Sequence, residues 1–119
     1  MAKAPTPRRG DIWLVNFDPA VGSEIRKFRP ALVVSLNTIG RLPLRIVVPV
    51  TDWKREYAGI PWFVELHSAP TNGLRKDSGA DTFQIKSLSL TRFVRRLGTI
   101  TTAELDAVAL AVKLCVGAA

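Results

Sequence analysis

The sequence predicts an α+β domain, a small and mostly antiparallel sheet curled into a partly open barrel, with one helix at the C-terminus. Three observations carry this reading. Short runs rich in Val, Ile, Trp and Phe recur between Gly, Pro and Asp punctuation, which is the pattern of short strands. The one confident helical period lies at the end of the chain, after Thr101. A chain of 119 residues, 47% of them hydrophobic, has room for one domain and enough apolar material to fold alone, so residues 1–119 are read as a single unit.

Residues 1–9 hold two prolines and no apolar period, and are read as a mobile arm. Asp11 to Phe17, closed by Asp18-Pro19, is the first strand; Ala31 to Ser35 and Arg45 to Thr51 are the second and third. A loop with Gly22, Glu24, Arg26, Lys27 and Arg29 joins the first two, and a connection around Gly40 joins the next two. Weaker strand patterns follow at Trp62 to Leu66, Asp81 to Lys86 and Val94 to Thr99, with a helical turn at Leu90 to Phe93. Thr101-Thr102-Ala103-Glu104 reads as a capping box. After it, Leu105, Val108, Ala109, Val112, Cys115 and Val116 recur at helical spacing as one apolar face.

Seventeen Lys and Arg against ten Asp and Glu give a net charge of +7, the footprint of a protein that meets a polyanion. Six of those seven charges fall between Arg26 and Arg55, where Arg26, Lys27, Arg29, Arg41, Arg45, Lys54 and Arg55 face Asp52 alone. A solvated basic face is the alternative. Cys115, the only cysteine, reads as a buried small hydrophobe and fits a reducing, cytoplasmic compartment. Neither secretion nor membrane spanning is indicated. With His67 the only histidine, neither a zinc site nor a pair of histidines for acid and base work is expected within one chain, and no cofactor is expected.

If residues 29 to 51 form an antiparallel hairpin about Gly40, the numbers of paired positions sum to eighty, and Arg29 lies opposite Thr51. A permanent cation then stands beside a stiff hydroxyl, where a phosphate can be clamped. The competing reading pairs Arg29 with Glu24 or Asp52 and makes Thr51 an ordinary strand-end residue. Trp13, Phe28, Trp53, Tyr57 and Trp62 have π-faces for unpaired bases, although most suit a core; Trp53, flanked by Lys54 and Arg55, is the best stacking candidate.

The residues also show a family resemblance. Arg9-Gly10-Asp11-Ile12-Trp13-Leu14-Val15 with Pro19, then Gly22-Ser23-Glu24 through Lys27 to Arg29-Pro30-Ala31-Leu32-Val33-Val34-Ser35, open the match. Pro49-Val50-Thr51, Gly73-Leu74-Arg75-Lys76-Asp77-Ser78, Gln84-Ile85-Lys86 and Leu97-Gly98 follow in order. Over about Pro7 to Val116 the chain resembles the MazF/PemK toxin family. The resemblance implies an SH3-like barrel, a homodimer and the toxin of a type II toxin-antitoxin pair that cuts single-stranded RNA without a metal. It puts Arg29 and Thr51 in the active site. The expected RNA-binding set is Arg26, Lys27, Trp53, Lys54, Arg55, Arg75, Lys76, Ser78 and Gln84, with Glu24 the best proton acceptor.

The basic segment and the resemblance together imply an acidic antitoxin competing for the RNA groove, with DNA reached only through the antitoxin complex. Two positions depart from the family. Phe83 stands where some relatives carry a catalytic acid before the Gln, and Ser89 replaces an Asp; Asp81 lies too far along the strand to substitute for the missing acid. A protein-targeting toxin on the same fold, in the manner of the gyrase poison CcdB, and a non-catalytic nucleic-acid-binding barrel are the rival readings.

Overall fold

A computed structural model describes residues 6–38 and 42–118. Among them seven strands form one antiparallel sheet: β1 (Asp11–Asn16), β2 (Phe28–Val33), β3 (Leu44–Asp52), β4 (Phe63–Leu66), β5 (Ser78–Asp81), β6 (Lys86–Ser89) and β7 (Phe93–Thr99). Helix α1 (Thr102–Cys115) follows. The strands run β4-β5-β3-β2-β1-β7 across the sheet, with β6 also paired to β3, so the curl does not close and the expected partly open barrel is observed. No helix among the described residues is long and apolar enough to cross a membrane.

Strand β3 organises the rest. On one flank it pairs with β2 through Ala31–Pro49, Leu32–Val48 and Val33–Val47, so each pair of residue numbers sums to eighty as expected. Its other partners change midway: Leu44 to Val47 face β6, and Val50 to Asp52 face β5. Pro49, which has no N–H to give a ladder, falls in the gap between these two partners. Because side chains alternate, the sheet has an apolar layer on each side. Leu32, Val48, Val50, Leu66 and Ala80 pack with Val108 of α1; Trp13, Val15, Phe17, Ala31, Val33, Val47 and Leu88 form the other cluster. Each fully buried Val or Leu adds about 1.5 to 3 kcal/mol.

The helix begins as expected. The Thr101 hydroxyl accepts the Glu104 N–H at 3.1 Å, and the Glu104 carboxylate accepts the Thr101 N–H at 3.1 Å. Its buried face differs: Ala111 is buried with Val108, while Val116 lies exposed beyond the last turn. Cys115 is half-buried, its Sγ 3.4 Å from the Thr82 hydroxyl.

Of the arm expected over residues 1–9, residues 1–5 lie outside the described residues; in the rest Pro7 is buried, Arg9 N–H donates to Asn37 Oδ1 at 2.8 Å, and the Arg9 guanidinium donates to the Val34 carbonyl. Two other expectations are corrected. Strand β2 starts at Phe28, before Ala31, because Phe28, Arg29 and Pro30 pair with β1. The single strand expected from Asp81 to Lys86 is instead the end of β5, a 3-10 turn at Thr82–Gln84 and the start of β6. Asp81 ends the strand by accepting the Phe83 N–H on its own carboxylate at 3.2 Å, a local bond that competes with the ladder.

The loop from His67 to Asp77 lies against β7. Asn72 is buried and fixes it, accepting the Ala69 and Leu74 N–H groups and donating to the His67 carbonyl at 2.8 Å. Thr99 N–H donates to the Thr71 carbonyl at 2.8 Å, and a Cβ at Gly98 would meet that carbonyl oxygen at 2.2 Å. Gly98→Ala should therefore cost about 3 kcal/mol by forcing backbone apart. Thr101→Ala should cost about 1 kcal/mol by removing the cap. Urea unfolding of both variants checks this ranking; equal losses would show that the loop yields to the added methyl.

Candidate active site

The eighty-sum register, extended past Ala31–Pro49, places Arg29 opposite Thr51, and their side chains do meet. Arg29 Nη1 donates to Thr51 Oγ1 at 3.5 Å, the long end of a hydrogen bond, while its Nε donates to the Arg26 carbonyl at 3.0 Å. Neither expected acid competes for the guanidinium. Glu24 accepts the Val21 N–H of its own loop at 2.8 Å, and Asp52 sits 3.9 Å from Lys76 Nζ. Among the described residues no carboxylate pairs with Arg29, so it keeps N–H groups for a ligand.

Across β3 from Arg29, Thr51 pairs with Gly79 of β5. Gly79 and Asp81 share that face, whereas Val50, Ala80 and Val64 turn into the core. A Cβ at Gly79 would lie 3.2 Å from the Trp53 ring and 3.3 Å from Phe63, so any larger residue would require those rings to give by a few tenths of an ångström. Tyr57 stacks on Phe63 with centroids 3.8 Å apart, and Trp53 meets Tyr57 edge-on at 5.7 Å. Trp53, expected as a stacking face, is thus half-buried in a three-ring cluster beside Thr51.

Gln84, expected in the RNA-binding set, has its amide engaged within the protein. Its Oε1 accepts the Ile25 N–H at 2.6 Å and its Nε2 donates to Asp81 Oδ2 at 3.1 Å, so both ends of the amide are engaged within the protein. It joins the β1–β2 loop, which carries Glu24 and Arg26, to the turn after β5. Asp81 is only 8% exposed. Burial raises its pKa above the ordinary 3.8, opposed by the hydrogen bonds from Gln84 and Phe83.

The basic residues separate into two groups. Arg26, Lys27, Lys54, Arg55, Arg75 and Lys76 are all exposed. Lys27 has a left-handed φ of 70°, held by its N–H bond to Asp18 Oδ1 at 3.0 Å. Ser78, expected on the binding surface, is buried, its hydroxyl donating to the Lys76 carbonyl at 2.8 Å. Arg45 lies about 20 Å along β3 from Thr51 and donates to the Pro7 carbonyl at 2.9 Å, so its charge belongs to the other end of the hairpin. Arg41 and Gly40 lie outside the described residues.

Sequence reasoning also missed a partner for His67. Its Nδ1 is 3.6 Å from Asp77 Oδ2, and Glu65 joins them so that one donor atom from each lies within 4.8 Å of the others. The sequence reading weighed only His and Cys as ligands and so did not bring these carboxylates to His67. All three residues are exposed. The Asp77 pKa is lowered, chiefly by the Ser68 N–H, with His67 contributing.

The site is thus a cation and a hydroxyl set together on neighbouring strands of a small, partly open barrel that also carries exposed basic residues. Over residues 8–116 the chain matches the family described as PemK-like, MazF-like toxin of type II toxin-antitoxin system. It is 41% identical over 113 residues to the endoribonuclease MazF9 of Mycobacterium tuberculosis, covering 90% of this chain and 93% of that protein. The crystal structure of MazF from Deinococcus radiodurans is similar with a TM-score of 0.80 and 26% identity, over 96% of this chain and 99% of that one. The fold is likewise similar to a MazE-MazF structure from Deinococcus radiodurans, with a TM-score of 0.74 and 23% identity over 98% of this chain and 100% of that one. The chain belongs to the PemK-like, MazF-like toxin family.

Asp81 gives a pH test of the geometry. With its folded pKa raised, the carboxyl costs nothing below the unfolded value of 3.8; the cost develops as pH rises through the folded value and persists to neutrality. Asp81→Asn cannot titrate, so its melting temperature relative to the parent should rise from about pH 3.5 to pH 7. A difference constant across that range would mean that burial imposes no cost on the ionised group.

Proposed function

We propose that this toxin is a metal-independent, sequence-selective endoribonuclease that cleaves single-stranded mRNA by attack of a 2′-OH on the adjacent phosphate. The observation that carries this reading is the Arg29–Thr51 pair, 3.5 Å apart and without an acidic partner for Arg29 among the described residues. Its relative at 41% identity is named an endoribonuclease.

The reaction needs the 2′-OH proton removed, the dianionic phosphorane stabilised and the 5′-oxygen protonated. Because the RNA supplies its own nucleophile, no Ser, Cys or metal has to be provided, and DNA is not a substrate. Arg29 clamps the non-bridging oxygens, where a planar fork of donors acts most strongly as negative charge develops. Thr51 Oγ1 donates a further bond, and Arg29, in a second role, gives the leaving 5′-oxygen its proton, regaining one from solvent after the cut. Glu24, on the loop between β1 and β2, is the proton acceptor; Phe83 offers no carboxylate in its place. Arg26, Lys27, Lys54, Arg55, Arg75 and Lys76 hold the RNA backbone.

Cleavage of a long defined RNA in EDTA, with end mapping, tests the chemistry. Arg29→Ala should lower the rate by about 10² to 10³, and Arg29→Lys should also fail because an ammonium lacks the fork. Thr51→Ser should retain much activity and Thr51→Val should lose it, with RNA affinity falling far less than rate. A single 2′-deoxy residue at the cut site should block cleavage. Arg29→Ala and Thr51→Val proteins that melt early yet cut at the normal rate would remove both residues from the active site.

The working form is a cytoplasmic homodimer, silenced by an acidic antitoxin that occupies the RNA groove and supplies any contact with DNA. The exposed bases around the Arg29–Thr51 pair support this, as does the solved MazE-MazF structure of a similar fold. Antitoxin and RNA should therefore compete in a binding titration. An antitoxin that inhibits while leaving RNA affinity unchanged would overturn the shared groove.

A further inference from the structure

Phe83, the departure from the family's acid, is 67% exposed, yet it is held in place. Its N–H is fixed on Asp81 Oδ1 at 3.2 Å, and its ring lies 5.6 Å from Trp62 with the planes 47° apart. It is also not an isolated surface hydrophobe. With Ser23, Glu24, Ile25, Gln84 and Lys86 it lines a groove of about 390 Å³, a size suited to a small planar ligand.

The groove combines an open aromatic face, the Lys86 cation and polar groups at its rim, which are the elements of a single-strand binding site. One wall is the loop that leads into Arg29, and the opposite wall follows directly on β5, whose Gly79 pairs with Thr51. The Gln84 amide, engaged by Ile25 and Asp81, fixes the spacing between these walls. We propose that Phe83, backed by Trp62, is a stacking face for an unpaired RNA base beside the phosphate held by Arg29 and Thr51. This rests on the endoribonuclease reading. Asp81 is the positioning residue, since one carboxylate holds both the Phe83 backbone and the Gln84 amide.

The test measures binding and cleavage separately on the full chain. The probes are a 2′-O-methyl oligonucleotide of about 12 nucleotides copied from the strongest mapped cut, and 2′-O-methyl oligouridylate of about that length. Phe83→Ala should weaken binding of both about 5- to 100-fold, raise KM similarly and leave kcat within about threefold, with the melting temperature unchanged. Phe83→Tyr and Phe83→Trp should restore affinity, and Phe83→Leu should not. A Phe83→Ala protein that binds both probes as tightly as the parent overturns the subsite, even if it loses its hold on an antitoxin peptide. If the parent binds but does not cut, and Phe83→Ala binds more weakly, the nuclease reading falls and the stacking face stands. A parent that binds neither probe overturns both.

Discussion

The fold and its site depend on one nine-residue strand that exchanges partners midway. β3 keeps β2 on one flank while β6 gives way to β5 on the other, with Pro49 at the changeover. A strand with one partner on that flank would have extended the sheet as a ribbon; two partners leaving in different directions make it curl. Toward β5 the β2–β3 ladder ends at Ala31 and Pro49, and beyond it Arg29 and Thr51 are only half-buried. The same ladder that sets the core thus delivers a cation and a hydroxyl to the rim.

The rim itself is held by side chains rather than by strands. The β1–β2 loop is joined to the turn after β5 through the Gln84 amide, and that turn is held by Asp81. Asp81 is ionisable and buried, an arrangement that costs stability and is offset only because both carboxylate oxygens accept hydrogen bonds. The molecule thus accepts a local cost to keep two segments, 59 residues apart in sequence, at a fixed distance. The aromatic cluster over Gly79 adds a second brace on the other side of Thr51.

The hairpin register was legible because centring the connection on Gly40 pairs positions whose numbers sum to eighty, a choice that also sets Val33 and Val47 in the same layer. The capping box was legible because it is encoded by four consecutive residues. Strand β5 was not, since Ser78-Gly79-Ala80-Asp81 has little strand propensity of its own. Its small residues are required by neighbours distant in sequence, the rings of Trp53 and Phe63 over Gly79. The burial of Ser78 and the engagement of the Gln84 amide were not legible, because a motif identifies a position without saying whether its polar atoms already have partners. The basic segment misled in the same way, because a run of charge in sequence is divided when the chain doubles back, as Arg45 shows.

The pairing of β1 with β7 also has a temporal consequence. The first strand and the last strand of the sheet are neighbours, so the β1–β7 ladder cannot form until Thr99 is available, and such long-range pairing is intrinsically slow. Arg29 leaves the ribosome early, but at about 5 to 20 residues per second it waits several seconds before Gly79, Gln84 and then β7 arrive. A chain interrupted before β7 leaves β1 paired on one side only, so one flank of the first strand stays open until the last one arrives.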